Sequence, residues 1–338
     1  MTGLNPNTLY YVRAYATNSA GTSYGSERSF TTSPVTEPTL ITASVTGVTV
    51  STAISGGNIT EDNGAEITDR GVCWNTSGNP TVANSKTSNG PGTGSFVSNM
   101  SGLAEGTIYY VRAFATNSAG TGYGNQIRFS TSASDIDGNV YRTIIIGTQL
   151  WMQSDLKTTK FNDNSSIPNV TLAADWMSLS SPGYCWYDNN PSYGSTYGIL
   201  YNWFTVETGR LCPSGWDVPT DIEFKTLEIF LGMSPTDADG TLWRGTDQGT
   251  QLKYTSTWFP VNGNGTNSSG FSALGGGYRF GVDGSFNNLG SVSYWWSSTL
   301  HWSDTTKALY RRLDTDKTGV YREGVIKAGG KFVRCLKN

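Results

Sequence analysis

His301 is the single histidine of the chain, standing between Leu300 and Trp302. A serine or cysteine hydrolase would have to use it as the base. The one Gly-x-Ser-x-Gly match, Gly21-Thr22-Ser23-Tyr24-Gly25, falls inside a strand-rich stretch with no helix pattern after it, so the chain is expected to be non-enzymatic. The four cysteines, Cys73, Cys185, Cys212 and Cys335, show no C-x-x-C spacing, which argues against zinc and iron–sulfur sites. Cys73 is expected as a lone buried thiol. The other three leave room for one disulfide. Cys212 with Cys335 is the favoured pair, and connectivity is not fixed by sequence. Asp135, Asp137 and Asn139 have the odd spacing that opens a calcium loop. No bidentate glutamate follows at the required place, and Asp137-Gly138 is a favoured turn pair. A β-turn is the preferred expectation, with no metal or other cofactor.

Recognition chemistry is better represented. The tail runs Leu309-Tyr310-Arg311-Arg312-Leu313-Asp314, then Val320-Tyr321-Arg322-Glu323-Gly324-Val325. By itself this stretch does not read as a buried core. Rigid aromatics beside arginines suit a binding surface. The candidate contact residues are His301, Trp302, Asp304, Lys307, Tyr310, Arg312, Asp314, Tyr321, Glu323 and Ile326. Trp295 and Trp296 are adjacent on a strand, must face opposite ways, and are expected in the core. From 301 to 338 there are nine Lys or Arg against four Asp or Glu. That excess could attract an acidic glycan or protein. It is too small, and too bare of motifs, for nucleic acid.

The elements that must hold these residues are short strands. The chain has 338 residues, a net charge of −3, only 14% charged residues and 41 glycines, a balance that fits an extracellular β-rich protein of two or three domains. No apolar run is long enough to span a bilayer. Tyr10-Tyr11-Val12-Arg13-Ala14-Tyr15-Ala16-Thr17-Asn18-Ser19-Ala20-Gly21 returns, 99 residues on, as Tyr109-Tyr110-Val111-Arg112-Ala113-Phe114-Ala115-Thr116-Asn117-Ser118-Ala119-Gly120. The alternation puts Tyr10, Val12, Ala14 and Ala16 on one face. The period is the size of an immunoglobulin-like sandwich. With Arg70-Gly71-Val72-Cys73-Trp74, these motifs resemble the fibronectin type III-like repeats of Bacteroidetes surface proteins. The expected organisation is therefore a final hairpin of one repeat at 1–33, a whole repeat at 34–133, and a different domain at 134–338. The natural N-terminus, with any lipid anchor, is expected upstream.

In the third segment, two strands are predicted to meet at Ile146-Gly147-Thr148. One clear helix is predicted over 219–232, with Thr220 as N-cap, Glu223 three residues on, and Phe224, Leu227 and Leu231 as its buried stripe. Shorter helical pieces are expected near Trp176 and within 197–205. Nine ordered blocks carry a second resemblance. They include Asp135-Ile136-Asp137-Gly138-Asn139-Val140-Tyr141, Leu211-Cys212-Pro213-Ser214-Gly215-Trp216, Tyr294-Trp295-Trp296-Ser297-Ser298-Thr299 and Val333-Arg334-Cys335. Residues 135–338 resemble the Fibrobacter succinogenes major paralogous domain family. The resemblance implies a C-type-lectin-like or formylglycine-generating-enzyme-like fold: a small twisted mixed sheet, one or two helices and long structured loops.

It also implies a role, since similar domains serve as variable receptors of diversity-generating retroelements. Their changing positions lie between the two last blocks, here from His301 to Lys331. The sequence departs from the tyrosine- and asparagine-rich pattern at Lys307, Leu309, Arg311, Arg312, Asp316, Glu323, Val325 and Ile326. The expected protein is mainly β with an α+β C-terminal domain. It would be a cell-surface or phage-exposed adhesin or receptor, binding a protein or glycan on another cell, phage or host surface. It would bind no nucleic acid and insert no part of this chain into a membrane. The alternatives are a calcium-independent carbohydrate-binding module and a structural filament or surface-layer subunit.

Overall fold

Period-two alternation produces strands through most of the chain. The computed structural model describes residues 1–259 and 264–338. They divide into two compact units, residues 1–103 with 108–129, and residues 104–107 with 130–338.

In the first unit, strands Thr39–Thr42, Ala53–Glu61 and Gly94–Met100 form one antiparallel sheet. Strands Asp69–Asn75, Ser85–Lys86, Ile108–Thr116, Thr121–Tyr123 and Ile127–Ser130 form the other. Their inner faces share one core, which includes Ile59, Val72, Phe96, Val111, Ala113 and Ala115. The repeated motif behaves differently in its two copies. Tyr109, Val111, Ala113 and Ala115 are at most 8% exposed. Their counterparts Tyr10 and Val12 are half-buried, and Ala14 and Ala16 are exposed. The single strand Ile108–Thr116 is matched by two shorter ones, Leu9–Val12 and Tyr15–Asn18, paired with Arg28–Thr31 and Gly21–Tyr24. A strand pair without a facing sheet cannot bury its apolar side.

The second unit is α+β. Its principal sheet is antiparallel throughout, in the order β1–β4–β3–β2, where β1 is Leu242–Arg244, β2 Val292–Leu300, β3 Lys307–Asp314 and β4 Val320–Ile326. Helix α1, Asp221–Phe230, packs beneath it. Thr220 accepts from the Glu223 amide at 3.2 Å, and the Glu223 carboxylate accepts from the Thr220 amide at 2.7 Å. A second four-stranded sheet joins Thr143–Ile146, Gln149–Met152, Leu336–Lys337 and Trp216–Asp217. The Cys212–Cys335 disulfide ties the approach to Trp216 to the approach to Leu336. Cys73 and Cys185 are buried free thiols. Instead of one mixed sheet with one or two helices, the domain has two four-stranded sheets with antiparallel strands, smaller pairs, six short α-helices and one 3-10 helix among its described residues.

The framework blocks meet in the core. Trp295 Nε1 and Arg334 Nε both donate to Asp155 Oδ1 at 2.8 Å. Trp296 Nε1 donates to the Tyr201 carbonyl at 2.8 Å. Asp135 closes a turn on itself, accepting from the Asp137 and Asn139 amides and from the Tyr141 hydroxyl. Every one of these bonds joins segments far apart in sequence or closes a loop, so together they fix the frame on which β2, β3 and β4 lie.

Candidate functional site

Strand register sorts the tail residues by parity. Tyr294 on β2 faces Arg312 on β3, which faces Tyr321 on β4, which faces Trp243 on β1. Trp296, Tyr310 and Glu323 form the next such row. One-residue neighbours point the other way. Leu309, Arg311, Leu313, Val320 and Arg322 therefore turn toward α1, all at most 6% exposed. This corrects the expectation that the stretch has no core logic, because half of it is core. The arginines are tolerated there because α1 supplies carboxylates. Arg311 donates to Glu228 at 2.7 Å and to Asp221 at 2.8 Å. Arg322 grips Asp221 through two nitrogens at 2.8 and 2.7 Å. Arg244 grips Glu228 at 2.7 and 2.9 Å. Burial alone would raise the Asp221 carboxyl, but hydrogen bonds and charge from Arg322 and Arg311 outweigh it and bring it down to about 2. A buried charge needs such oppositely charged partners.

The opposite face is aromatic. Ring centroids run Tyr278–Tyr294 at 4.5 Å, Tyr294–Tyr310 at 5.3 Å, Tyr310–Tyr321 at 6.0 Å and Tyr321–Trp243 at 5.2 Å. Such contacts add about 0.5–1.5 kcal/mol per pair and hold the rings rigid. Arg312 lies over Trp243, Tyr294 and Tyr321 at 5.4–5.7 Å. Its guanidinium is held two-pronged by Asp314 at 2.6 and 2.5 Å. Tyr278, Tyr321, Trp243 and Arg312 are half-buried. The hydroxyls of Tyr294 and Tyr310 make no hydrogen bond to the protein among the described residues, yet they are not sealed from solvent. Burial drives both phenols well above their ordinary ionisation range, so both remain protonated donors.

Behind the rings stands Lys331. Its Nζ is 4.8 Å from the Tyr294 ring, 4.7 Å from Trp296, 5.0 Å from Tyr310 and 5.9 Å from Tyr278. The residue is 3% exposed and forms no ion pair among the described residues. Burial, with the positive charge of Arg312 nearby, brings its amine down to about 7.

The ten candidates do not form one patch. Arg312, Tyr321 and Glu323 share the aromatic face. Tyr310 and Asp314 share it too but are buried, at 8% each, because Tyr310 packs between Tyr294 and Tyr321 and Asp314 is taken by Arg312. Ile326 points to the other face by register, next to Gly281. His301, Trp302 and Asp304 belong to the bend between β2 and β3, and Lys307 opens β3. There the His301 ring packs tilted against Trp302 at 4.0 Å, and its Nε2 lies 3.3 Å from Glu323. Asp304 pairs with Lys307 at 3.0 Å, and the Thr306 hydroxyl, Lys307 and the Thr306 amide hold its carboxyl at about 2. Trp302 is 56% exposed, with Arg322 over its ring at 5.1 Å. Trp243, Tyr278, Tyr294 and Lys331 were missed. Trp243 and Tyr278 lie outside the tail, but the parity of Tyr294 with Trp296 was legible. No cluster of three or more His, Cys, Asp or Glu suited to a metal exists among the described residues.

The molecule is thus a β-sandwich protein followed by an α+β domain with an aromatic sheet face. Residues 144–337 match the Fibrobacter succinogenes major domain, and the chain belongs to that family. No curated protein matches it. Solved structures overlap only in part. The sensor domain of the anti-sigma factor RsgI4 of Pseudobacteroides cellulosolvens is 17% identical over 29% of this chain and 98% of its own, with a TM-score of 0.23. Domains d3–d4 of the rat CD45 extracellular region are 19% identical over 39% of this chain and 67% of theirs, at 0.27. The chicken CNTN1 FN1–FN3 domains are 22% identical over 38% and 44%, at 0.24. At these scores the overlaps carry no argument. No helix among the described residues is long and apolar enough to cross a membrane.

Proposed function

We propose that the C-terminal domain is a non-catalytic recognition module, displayed on a cell or phage surface, which meets a protein or glycan ligand through the aromatic face of the β1–β4–β3–β2 sheet. The observation that supports this is the row Tyr278, Tyr294, Tyr310, Tyr321 and Trp243, packed ring to ring at 4.5–6.0 Å with Arg312 among them. Rings locked before contact lose little conformational freedom on binding. The Cys212–Cys335 disulfide suits an oxidising, extracellular setting. The repeats ahead of the domain serve as a spacer. A lectin-like arrangement and a variable-receptor role fit the same geometry, since outward positions on a braced sheet can change without disturbing the core.

The test applies soluble chain to an array of neutral and acidic polysaccharides and to intact bacterial cells. Tyr321→Ala with Trp243→Ala should weaken any hit by about tenfold or more, the loss expected for buried aromatic anchors. Undiminished binding by that double variant would sink the face. The variable-receptor role has its own test in the neighbouring DNA. A second copy of the tail's coding segment should differ at adenines in the codons for 310, 312, 314, 321, 323 and 325, and spare 309, 311, 313, 320 and 322. Differences spread equally over both sets would exclude it.

A further inference from the structure

Among the described residues, Lys331 is a cation without an anion. Among the described residues, every other deeply buried cation of this domain has at least one oxygen partner. Arg244, Arg311 and Arg322 have Asp221 and Glu228, Arg334 has Asp155, Lys253 donates to the Asp314 and Lys317 carbonyls, and Arg279 donates to the Val170, Thr171 and Gly284 carbonyls. Lys331 Nζ makes no hydrogen bond or ion pair to the described residues; the ring faces of Tyr278, Tyr294, Trp296 and Tyr310 surround it, and like the two phenols it is not sealed from solvent. Burying an ammonium without a hydrogen-bonded counterion is unfavourable, and π-faces make up only part of what water supplied. The charged groups facing it are Arg312 and, beyond Arg312, Asp314, whose carboxylate is already engaged. Glu323 is turned to His301 and to the Gly324 amide. Beside this amine stand the protonated, unspent hydroxyls of Tyr294 and Tyr310.

We infer that Lys331 anchors an oxyanion of the ligand, with the Tyr294 and Tyr310 hydroxyls as flanking donors, and that the ligand is an acidic glycan bearing a uronate-type carboxylate. This rests on the recognition role proposed for the aromatic face. A uronate suits the site better than an acidic peptide does. Its ring carries hydroxyls next to the carboxylate, and phenol hydroxyls can donate to or accept from them. An aspartate or glutamate side chain offers only methylenes there. The amine titrates near neutrality and the carboxylate does not, so affinity should fall as pH rises through the neutral range.

The experiment titrates the full chain with trigalacturonate at pH 6 and pH 8 by calorimetry, with maltotriose and a triglutamate peptide as comparison probes. Wild-type protein should bind trigalacturonate about tenfold more weakly at pH 8, following loss of the ammonium. Lys331→Met, which removes the charge but fills the space, should weaken binding at pH 6 about tenfold to a hundredfold and abolish the pH dependence. Tyr310→Phe removes one hydroxyl with the ring retained, and should cost a smaller factor. Circular dichroism melting confirms that each variant folds. If trigalacturonate binds equally to wild type and Lys331→Met, the anchor is wrong. If it then still depends on Tyr321 and Trp243, the recognition face survives without the anchor. Equal or tighter binding of triglutamate would overturn the glycan assignment, and tighter binding of maltotriose would overturn the oxyanion itself.

Discussion

Arg311 and Arg312 are neighbours in sequence and opposites in circumstance. Arg311 points under the sheet, 2% exposed, and each of its hydrogen-bonding arms ends on Glu228 or Asp221. Arg312 points over the sheet, with its side chain 28% exposed, among rings and against one carboxylate. On the lower face every arginine is paired with a carboxylate. The upper face keeps surplus capacity in two free phenols and one cation without an anion. A face that must only fold has no reason to keep such a surplus, whereas a face that meets a partner does.

The largest expected effect breaks the lower face. Glu228→Gln strips Arg244 and Arg311 of their shared carboxylate, at a site where all three side chains are at most 3% exposed. Leaving buried charges unpaired should cost about 3–5 kcal/mol, measured as a fall in urea midpoint. A cost below about 1 kcal/mol would mean that packing, not the ionic set, holds the face.

Acid should reach the same cluster. The Asp221 carboxyl is lowered, so its contribution is complete above its ordinary value of 3.8 and is lost as pH falls from there toward about 2. A melting curve flat between pH 4 and pH 2 would contradict that assignment.

On the upper face the same kind of cut should hurt less. Asp314→Asn weakens a partly exposed pair whose arginine still rests on three rings. The expected loss is about 1 kcal/mol or less. A loss as large as that of Glu228→Gln would erase the distinction between the faces.

Lys331→Met gives the smallest effect, and the opposite sign. The amine is lowered from 10.5 to about 7, so the unfolded chain holds more protons between those values, and wild-type stability should rise as pH climbs through that window. The variant should lose that slope and be at least as stable near neutrality. Destabilisation by the variant would make Lys331 a structural residue.

Much of the fold was legible in the chain. The repeat at Tyr10 and Tyr109, the capped helix at Thr220, the strands meeting at Gly147 and the buried pair Trp295 and Trp296 all follow from local rules of period, cap and turn. The site was legible only in outline. The tail was singled out, but its residues were treated as one surface. Alternation was known, yet the direction of each parity was not, because Arg311 and Arg322 become core residues only when Asp221 and Glu228 arrive from 83 to 101 residues away. Trp243, Tyr278 and Lys331 join the face by the same long-range closure, which no local window contains.

Sequence by itself determined the strand period, the helix with its cap, the family blocks and the clustering of aromatics with arginines in the tail, since each depends on neighbours a few residues apart. Only the tertiary structure decided which of two adjacent arginines is buried, which tyrosines stand in a row, and that one lysine is enclosed by rings without a carboxylate. Those outcomes depend on which distant segment covers each face of the sheet, and burial and charge pairing are properties of that meeting.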